Sequence, residues 1–194
     1  MLLNGEPMPP KAKFTREEIF RVAFEMTRKH GIEFISARSL AAELGVSTAP
    51  IFTAFESLDE LDRAIIDKAK EQYGVYLKEG MKEELPFRGT GLAYIRFAKE
   101  EPKLFSLLFM GDGNGEKPTH YFPGDEHSSE ILNMVMARYQ MTENGAKRLY
   151  NHLSVYAHGL ASLFAMGRCV FTMEDAGNML SELFFALTKE KNEK

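Results

Sequence analysis

Residues 36–55, SARSLAAELGVSTAPIFTAF, decide how this chain is read. Ser36 is a short polar residue of the kind that caps a helix N-terminus. Leu40, Ala41 and Leu44 then share one helical face, and Gly45 ends it, where the backbone can turn left-handed without a Cβ clash. A small residue, Ala41 or Ala42, lets a second helix approach, and Val46 plugs the space behind the turn. A very short helix is expected over residues 48–55, with Ser47 as its N-cap. Pro50 falls in its first turn, where the missing N–H has no partner to lose. These are the parts of a helix-turn-helix, whose second helix sets short polar side chains at its N-terminal end into a major groove.

The surrounding sequence continues the helical reading. Thr15 and Glu18 form a capping box. Ile19, Ala23, Met26 and His30 recur at helical spacing. Gly31 stops that helix after Arg28, Lys29 and His30, which suit a C-terminus. Residues 1–13 hold three of the eight prolines and read as an irregular arm. Ser57 and Glu60 look like a second capping box, opening a long helix of about 58–81 through Leu61, Ile65 and Ala69. Further helices are expected at 87–101, 103–110, 128–140, 142–168 and 172–189, with Gly145 and Gly159 as places where the longest could bend. Residues 111–125, GDGNGEKPTHYFPGD, read as a loop. Alternating strand patterns are scarce and no internal repeat occurs, so the chain is read as all-α.

As a block, residues 15–61, TREEIFRVAFEMTRKHGIEFISARSLAAELGVSTAPIFTAFESLDEL, resemble the DNA-binding domain of the TetR family of transcriptional regulators. The family pattern is a first helix ending in Gly, an I-A-x-x-x-G-V-S segment, an aromatic pair and K-x-x-L. The resemblance implies a TetR-like fold with three parts: an N-terminal arm (1–13), a three-helix helix-turn-helix domain (14–60), and a helical effector-binding and dimerisation domain (61–194). It implies a homodimer on a double-stranded DNA operator, most often as a repressor, responsive to a small molecule, with no cofactor and no enzymatic activity. Three positions depart from the pattern: Phe52 replaces the usual Tyr, Ala54 the usual His, and Leu58 the usual Lys.

Charge shapes the expected interface. The 194 residues carry 24 Lys+Arg and 28 Asp+Glu, a net −4, which argues against a strongly basic nucleic-acid binder. The first 55 residues hold seven basic and six acidic side chains, so the acidity lies further along the chain. Residues 39–62 contain no Lys or Arg but do contain Glu43, Glu56, Asp59, Glu60 and Asp62. DNA contacts are therefore assigned to Lys11, Lys13, Arg16, Ser36, Arg38, Ser47, Thr48, Ala49, Phe52 and Thr53. Thr48, Ala49 and Thr53 are the expected base readers. Few ionic contacts imply a shallow dependence on salt.

The effector and dimer residues follow from the same resemblance. Fifteen Phe, seven Tyr and eleven Met suit an adaptable apolar cavity. Polar residues within apolar helical stretches, Tyr94, His152, Tyr156 and His158, are candidates to orient a ligand, with Phe97, Phe105, Phe109 and Met134 as walls. The last two helices would form the dimer interface through Leu160, Leu163, Phe164, Met179, Leu180, Leu183, Phe184 and Leu187. The helix at 58–81 would couple the pocket to the DNA domain.

Other chemistry finds little footing. His120, Asp125 and His127 fall in or beside the glycine-rich loop without a cysteine, and no metal site is assigned. GDGNGEK (111–117) has neither a phosphate-loop nor a calcium-loop register. No nucleophile elbow, HExxH or Cys–His signature occurs. Cys169, the single cysteine, excludes an internal disulfide and reads as an inert thiol, with a redox switch as the alternative. No apolar run is long enough to span a membrane. The first residues lack a secretory leader, so the chain is expected in the cytoplasm. The runner-up reading is a ligand-binding or protein-interaction module whose helix-turn-helix no longer reads DNA.

Overall fold

The computed structural model describes residues 14–110 and 126–189, with side chains for all of these but 126–128. The arm with Lys11 and Lys13, the loop at 111–125 with His120 and Asp125, and the His127 side chain lie outside the described residues. Every α-helix or strand assigned among the described residues is helical. The helices are α1 (Arg16–His30), α2 (Ala37–Leu44), α3 (Ala49–Ala54), α4 (Leu58–Gly80), α5 (Pro86–Glu100), α6 (Pro102–Phe109), α7 (Glu126–Tyr139), α8 (Glu143–Ala165) and α9 (Met173–Lys189). The chain forms two compact units, Met1–Ile65 and Ile66–Lys194, with the boundary inside α4.

The first unit is built on local capping. Thr15 N–H donates to Glu18 Oε2 at 2.7 Å, and Glu18 N–H returns the bond to Thr15 Oγ1 at 3.2 Å. These bonds hold the Glu18 carboxyl below the usual carboxylate range. A 3-10 turn, Ile32–Phe34, follows α1 and had no signal in the sequence. Ser36 caps α2 by accepting from Ser39 N–H at 3.0 Å, and Ser39 closes the box from the other side. Gly45 ends α2 at φ 66° and ψ 38°. A Cβ there would meet nothing within 4 Å, so the glycine serves the backbone angle and not a close contact. Ile19, Ala23, Leu40, Ile51, Phe55 and Leu61 are buried and form the core.

Two capping expectations need correction. The N-cap of α3 is Thr48, not Ser47. Its backbone is already helical and its side chain makes no capping bond. Ser57 accepts from Glu60 N–H at 3.2 Å, which is half of a capping box. The Glu60 carboxylate does not return that bond; it accepts from Glu56 N–H at 2.7 Å.

In the second unit α5 packs on α6, α8 and α9, and α7 and α6 also pack on α8. Pro86 and Pro102 each occupy the first turn of a helix, where the missing N–H has no partner to lose. Ile95, Phe97, Ala98, Leu104, Phe105 and Ala161 are fully buried. Gly80 and Gly89 bring the backbones of α4 and α5 together so closely that a Cβ on either would strike the other's carbonyl. The buried Glu101 accepts from Gln72 Nε2 at 2.9 Å. No buried side-chain polar atom lacks a partner among the described residues. α8 ends at Ala165, where Gly167 turns the chain at φ 64°, and α9 starts under a Thr172–Asp175 cap.

Candidate nucleic-acid interface and interior cavity

The left-handed turn at Gly45 leads into a short helix with an open face. Ser47, Ala49, Phe52 and Thr53 are exposed, and Thr48 is half-buried at the N-cap. Ile51, on the opposite face of α3, is buried in the core of the unit. Phe52 exposes 52% of its surface although it is a large apolar residue. Thr53 Oγ1 donates to the Ala49 carbonyl at 3.0 Å, so its proton is committed while its oxygen can still accept. Ser36 is half-buried and occupied as the α2 cap. Arg38 is exposed on the first turn of α2 and forms no ion pair among the described residues.

Arg16 is placed differently from a free phosphate contact. Its Nη1 donates to the carbonyl of Ala54, the last residue of α3. Its Nη2 donates to Glu60 Oε1 at 2.7 Å, and its guanidinium lies 4.1 Å from the centre of the Phe55 ring. Bonding to Arg16, then to Glu56 N–H, holds the Glu60 carboxyl below its ordinary value. One side chain thereby ties α1, the end of α3 and the start of α4. No signal within a few residues could have revealed that bond.

The second unit holds a half-open cavity of about 60 Å³. One water needs roughly 10–15 Å³ and an apolar cavity that admits benzene is about 150 Å³. Four helices supply most of the wall: Tyr73 and Leu77 from α4; Phe87, Thr90, Gly91 and Tyr94 from α5; Tyr150, Leu153, Ser154 and Ala157 from α8; and Leu180 from α9. Phe109 of α6 and Ile131 of α7 complete it. No Asp, Glu, Lys or Arg is among these residues. Aromatic rings interlock around the space: Tyr73 sits 5.1 Å from Phe109 and 5.9 Å from Tyr94, both edge-on.

Tyr94 Oη lies 2.8 Å from His158 Nδ1. Burial pushes the His158 imidazole below its ordinary 6.5, so it is neutral at pH 7. Thr90 Oγ1 donates to the Phe87 carbonyl at 3.0 Å. Ser154 makes no hydrogen bond through its side chain among the described residues.

The sequence-derived ligand residues are distributed unevenly. Tyr94 and Phe109 line the cavity, and His158 holds Tyr94. Phe97 and Phe105 are fully buried in the core behind the wall. Met134 and Tyr156 are half-buried away from it. His152 is exposed, beside a separate small depression bounded by Met141, Arg148 and Leu187. Tyr73, Leu77, Phe87, Thr90, Tyr150 and Ser154 were missed. The available signal was a shared helical face: positions 87, 91 and 94 on α5, and positions 150, 154 and 157 on α8.

The dimer candidates also separate. Leu160 and Leu180 are buried within their own unit, and Leu180 stands on the cavity wall. Leu163 is exposed, while Phe164, Met179, Leu183, Phe184 and Leu187 are half-buried. Phe184 packs against Tyr139 at 4.9 Å and Phe87 at 5.9 Å. Val155 and Phe185, absent from the sequence-derived set, are 63% and 52% exposed, and Met166 is exposed as well. Cys169 is a half-buried free thiol.

No group of three or more His, Cys, Asp or Glu arranged to hold a metal occurs among the described residues. No helix among them is long and apolar enough to cross a membrane. No sequence-family profile matches the chain, and no curated protein matches it in sequence. Among solved structures it is similar to a TetR-like transcriptional regulator from Rhodococcus sp. RHA1. That match has a TM-score of 0.62 and 16% identity, covering 92% of this chain and 97% of the other. AmtR from Mycobacterium smegmatis aligns at TM-score 0.31 and 17% identity, over 96% of this chain and 80% of that one.

Proposed function

From the all-helical, TetR-like fold that the chain shares with the Rhodococcus regulator, we propose that it is a DNA-binding transcriptional regulator, acting as a repressor whose DNA affinity a small molecule modulates. The observation that carries the reading is the open face of α3. A left-handed glycine and a buried Ile51 set the helix, with Ser47 exposed just before it and Ala49, Phe52 and Thr53 exposed upon it. That face offers hydroxyls for hydrogen bonds and apolar groups for thymine methyls, without a basic side chain. Arg38, exposed on α2, together with Lys11 and Lys13 of the N-terminal sequence, would supply the ionic contacts.

One such helix reads only a few base pairs, so a two-fold operator and a homodimer are part of the proposal. Exposed apolar side chains on α8 and α9, Val155, Leu163 and Phe185, support a second copy as the occupant of that face. The cavity supports an effector. Glu60 at one end of α4 belongs to the Arg16 network, and Tyr73 and Leu77 near its other end belong to the cavity wall, so α4 is the natural carrier of a coupling. For that coupling to work, the effector must bind one state of the dimer better than another. The cytoplasm is the expected place of action.

Selection of binders from a random duplex library tests the reading. A two-fold consensus supports the regulator. No enrichment above a non-specific protein overturns it and leaves the interaction-module alternative, which the absence of Lys and Arg from residues 39–62 favours.

A further inference from the structure

We propose that the seam between α5 and α9 links the cavity to self-association. A group that displaces Leu180 or Phe87 from the cavity side shifts α9 and weakens the pairing of two copies of the chain. This rests on the proposed homodimer and effector cavity, and adds the route by which one acts on the other.

α9 stands between two surfaces. Its inner face carries Gly177, Leu180 and Phe184 at helical spacing, and each of them meets α5. Arg88 Nε donates to the Gly177 carbonyl at 3.3 Å. Leu180 lies in the notch left by the missing side chain of Gly91, where an added Cβ would stand 2.9 Å from Leu180 Cδ1. The Phe184 ring is 5.9 Å from that of Phe87. Phe87, Gly91 and Leu180 also line the cavity, so seam and cavity wall share these residues. The outer face of α9 carries Asn178, Glu182 and Phe185, all exposed. The Phe185 ring packs edge-on against Phe184 at 5.6 Å. Two ring contacts, Phe87 to Phe184 and Phe184 to Phe185, therefore join the wall to the face on which a second copy is proposed to sit.

Packing gives this route its direction. Leu180 is buried and already fills the Gly91 notch, so it has no room to retreat along α5. At about 60 Å³ the cavity has space for only a few waters, so an occupant that reaches the seam presses on Leu180 or Phe87. Close-packed side chains pass such a displacement on to the helix that bears them. A shift of α9 then moves Phe185 out of register with its counterpart across the two-fold axis. Linkage makes the effect reciprocal: pairing holds α9 against α5, and the paired chain takes such an occupant less tightly than the single one.

Sedimentation of the full chain over a dilution series gives the dimer dissociation constant and tests the route without a known ligand. Gly91→Leu sets a side chain into the seam from the cavity wall and should raise that constant about tenfold. Gly91→Ala, whose Cβ meets only the end of Leu180, should act in the same direction to a smaller extent, and it serves if the larger variant does not fold. Adding Leu180→Ala to Gly91→Leu makes room for the new side chain and should restore the parent constant to within about twofold. Leu104→Ala removes a fully buried side chain of α6, away from the seam. It should lower the melting temperature and leave the dissociation constant unchanged. Gly91 variants that melt lower but pair like the parent overturn the proposal. So does a Leu104→Ala chain that pairs as poorly as Gly91→Leu, or a double variant that shows no restoration. A monomeric parent chain removes the homodimer reading, and the seam's role with it. Operator binding does not enter the readout, so loss of the DNA reading alone leaves the proposal standing.

Discussion

Arg16 and Glu60, 44 residues apart in sequence, are joined by a 2.7 Å bond that closes the helix-turn-helix unit on itself. The same guanidinium holds the C-terminal carbonyl of α3 through Ala54 and lies over Phe55. A basic residue at the front of the proposed DNA-binding unit would ordinarily be assigned to phosphate, but here one donor on each Nη is engaged by protein. Arg16→Gln and Glu60→Gln should therefore weaken operator binding in parallel, through misplacement of α3. Neither should change the slope of log affinity against log salt, whereas loss of a phosphate contact would reduce that slope by about one. Anisotropy titrations at several salt concentrations on the selected duplex give the result. A reduced slope for Arg16→Gln alone would return the residue to the interface.

Phe52 presents the converse case. It is 52% exposed on the open face of α3, where the family pattern places a tyrosine. Phe52→Tyr adds a hydroxyl at little cost to the core. Affinity for the operator should rise a few-fold, on the order of the roughly 1 kcal/mol net worth of a hydrogen bond. The salt slope should not move, because no charge is added. Unchanged affinity would mean that position 52 does not face the backbone of the duplex.

The contrast between these residues and the caps explains what the sequence could reveal. Thr15 with Glu18, Ser36 and Gly45 act on backbone groups within four residues, so their roles were readable in one dimension. Glu60 looked like a capping-box partner of Ser57, yet Arg16 and Glu56 N–H take its carboxylate; folding brings Arg16 to it. The cavity shows the same limit. Phe97, Phe105 and Phe109 are alike in type and lie on neighbouring helices, but only Phe109 reaches the wall. Their difference is the rotation of α5 and α6 about their axes, fixed by packing rather than by composition. Ser154 and Tyr73 were overlooked because each is ordinary until its helix is set against the others.

Gly45 offers a test of backbone geometry alone. At φ 66° an L-residue is disfavoured, and nothing lies within 4 Å of an added Cβ. Gly45→Ala should destabilise the first unit by about 1–2 kcal/mol through backbone strain. Gly45→Asn should cost less, since Asn tolerates the left-handed region. Calorimetric melting of the full chain compares them. Equal effects of Ala and Asn would point to a steric cause that the structure does not contain.

His158 gives a pH dependence with a definite sign. Burial lowers its folded pKa below the ordinary 6.5 of the unfolded chain. Between the two values the unfolded chain holds the extra proton, so stability rises with pH there. The contribution is complete above about 6.5 and is lost as pH falls through the folded value. The melting temperature should therefore decline from pH 7 towards pH 5, before the carboxylates titrate. His158→Gln should flatten that part of the profile. A profile that falls equally in both proteins would locate the titration elsewhere.

Val155 on α8 and Phe185 on α9 bear on assembly. They are 63% and 52% exposed, and both helices already bury their other faces against α5 and each other. Apolar groups left in water on two adjacent helices gain by covering one another across a two-fold axis. Val155→Glu and Phe185→Glu would place carboxylates in that contact, and symmetry brings each copy's charge into the same interface. Sedimentation should show a dimer for the parent chain and a monomer for the double variant at micromolar concentration. Melting of the monomer should stay cooperative, since neither side chain belongs to the buried core. Operator affinity should fall together with dimerisation, because half-sites would then be bound one at a time. A double variant that remains dimeric would move the interface off this face, and a monomeric parent would remove it.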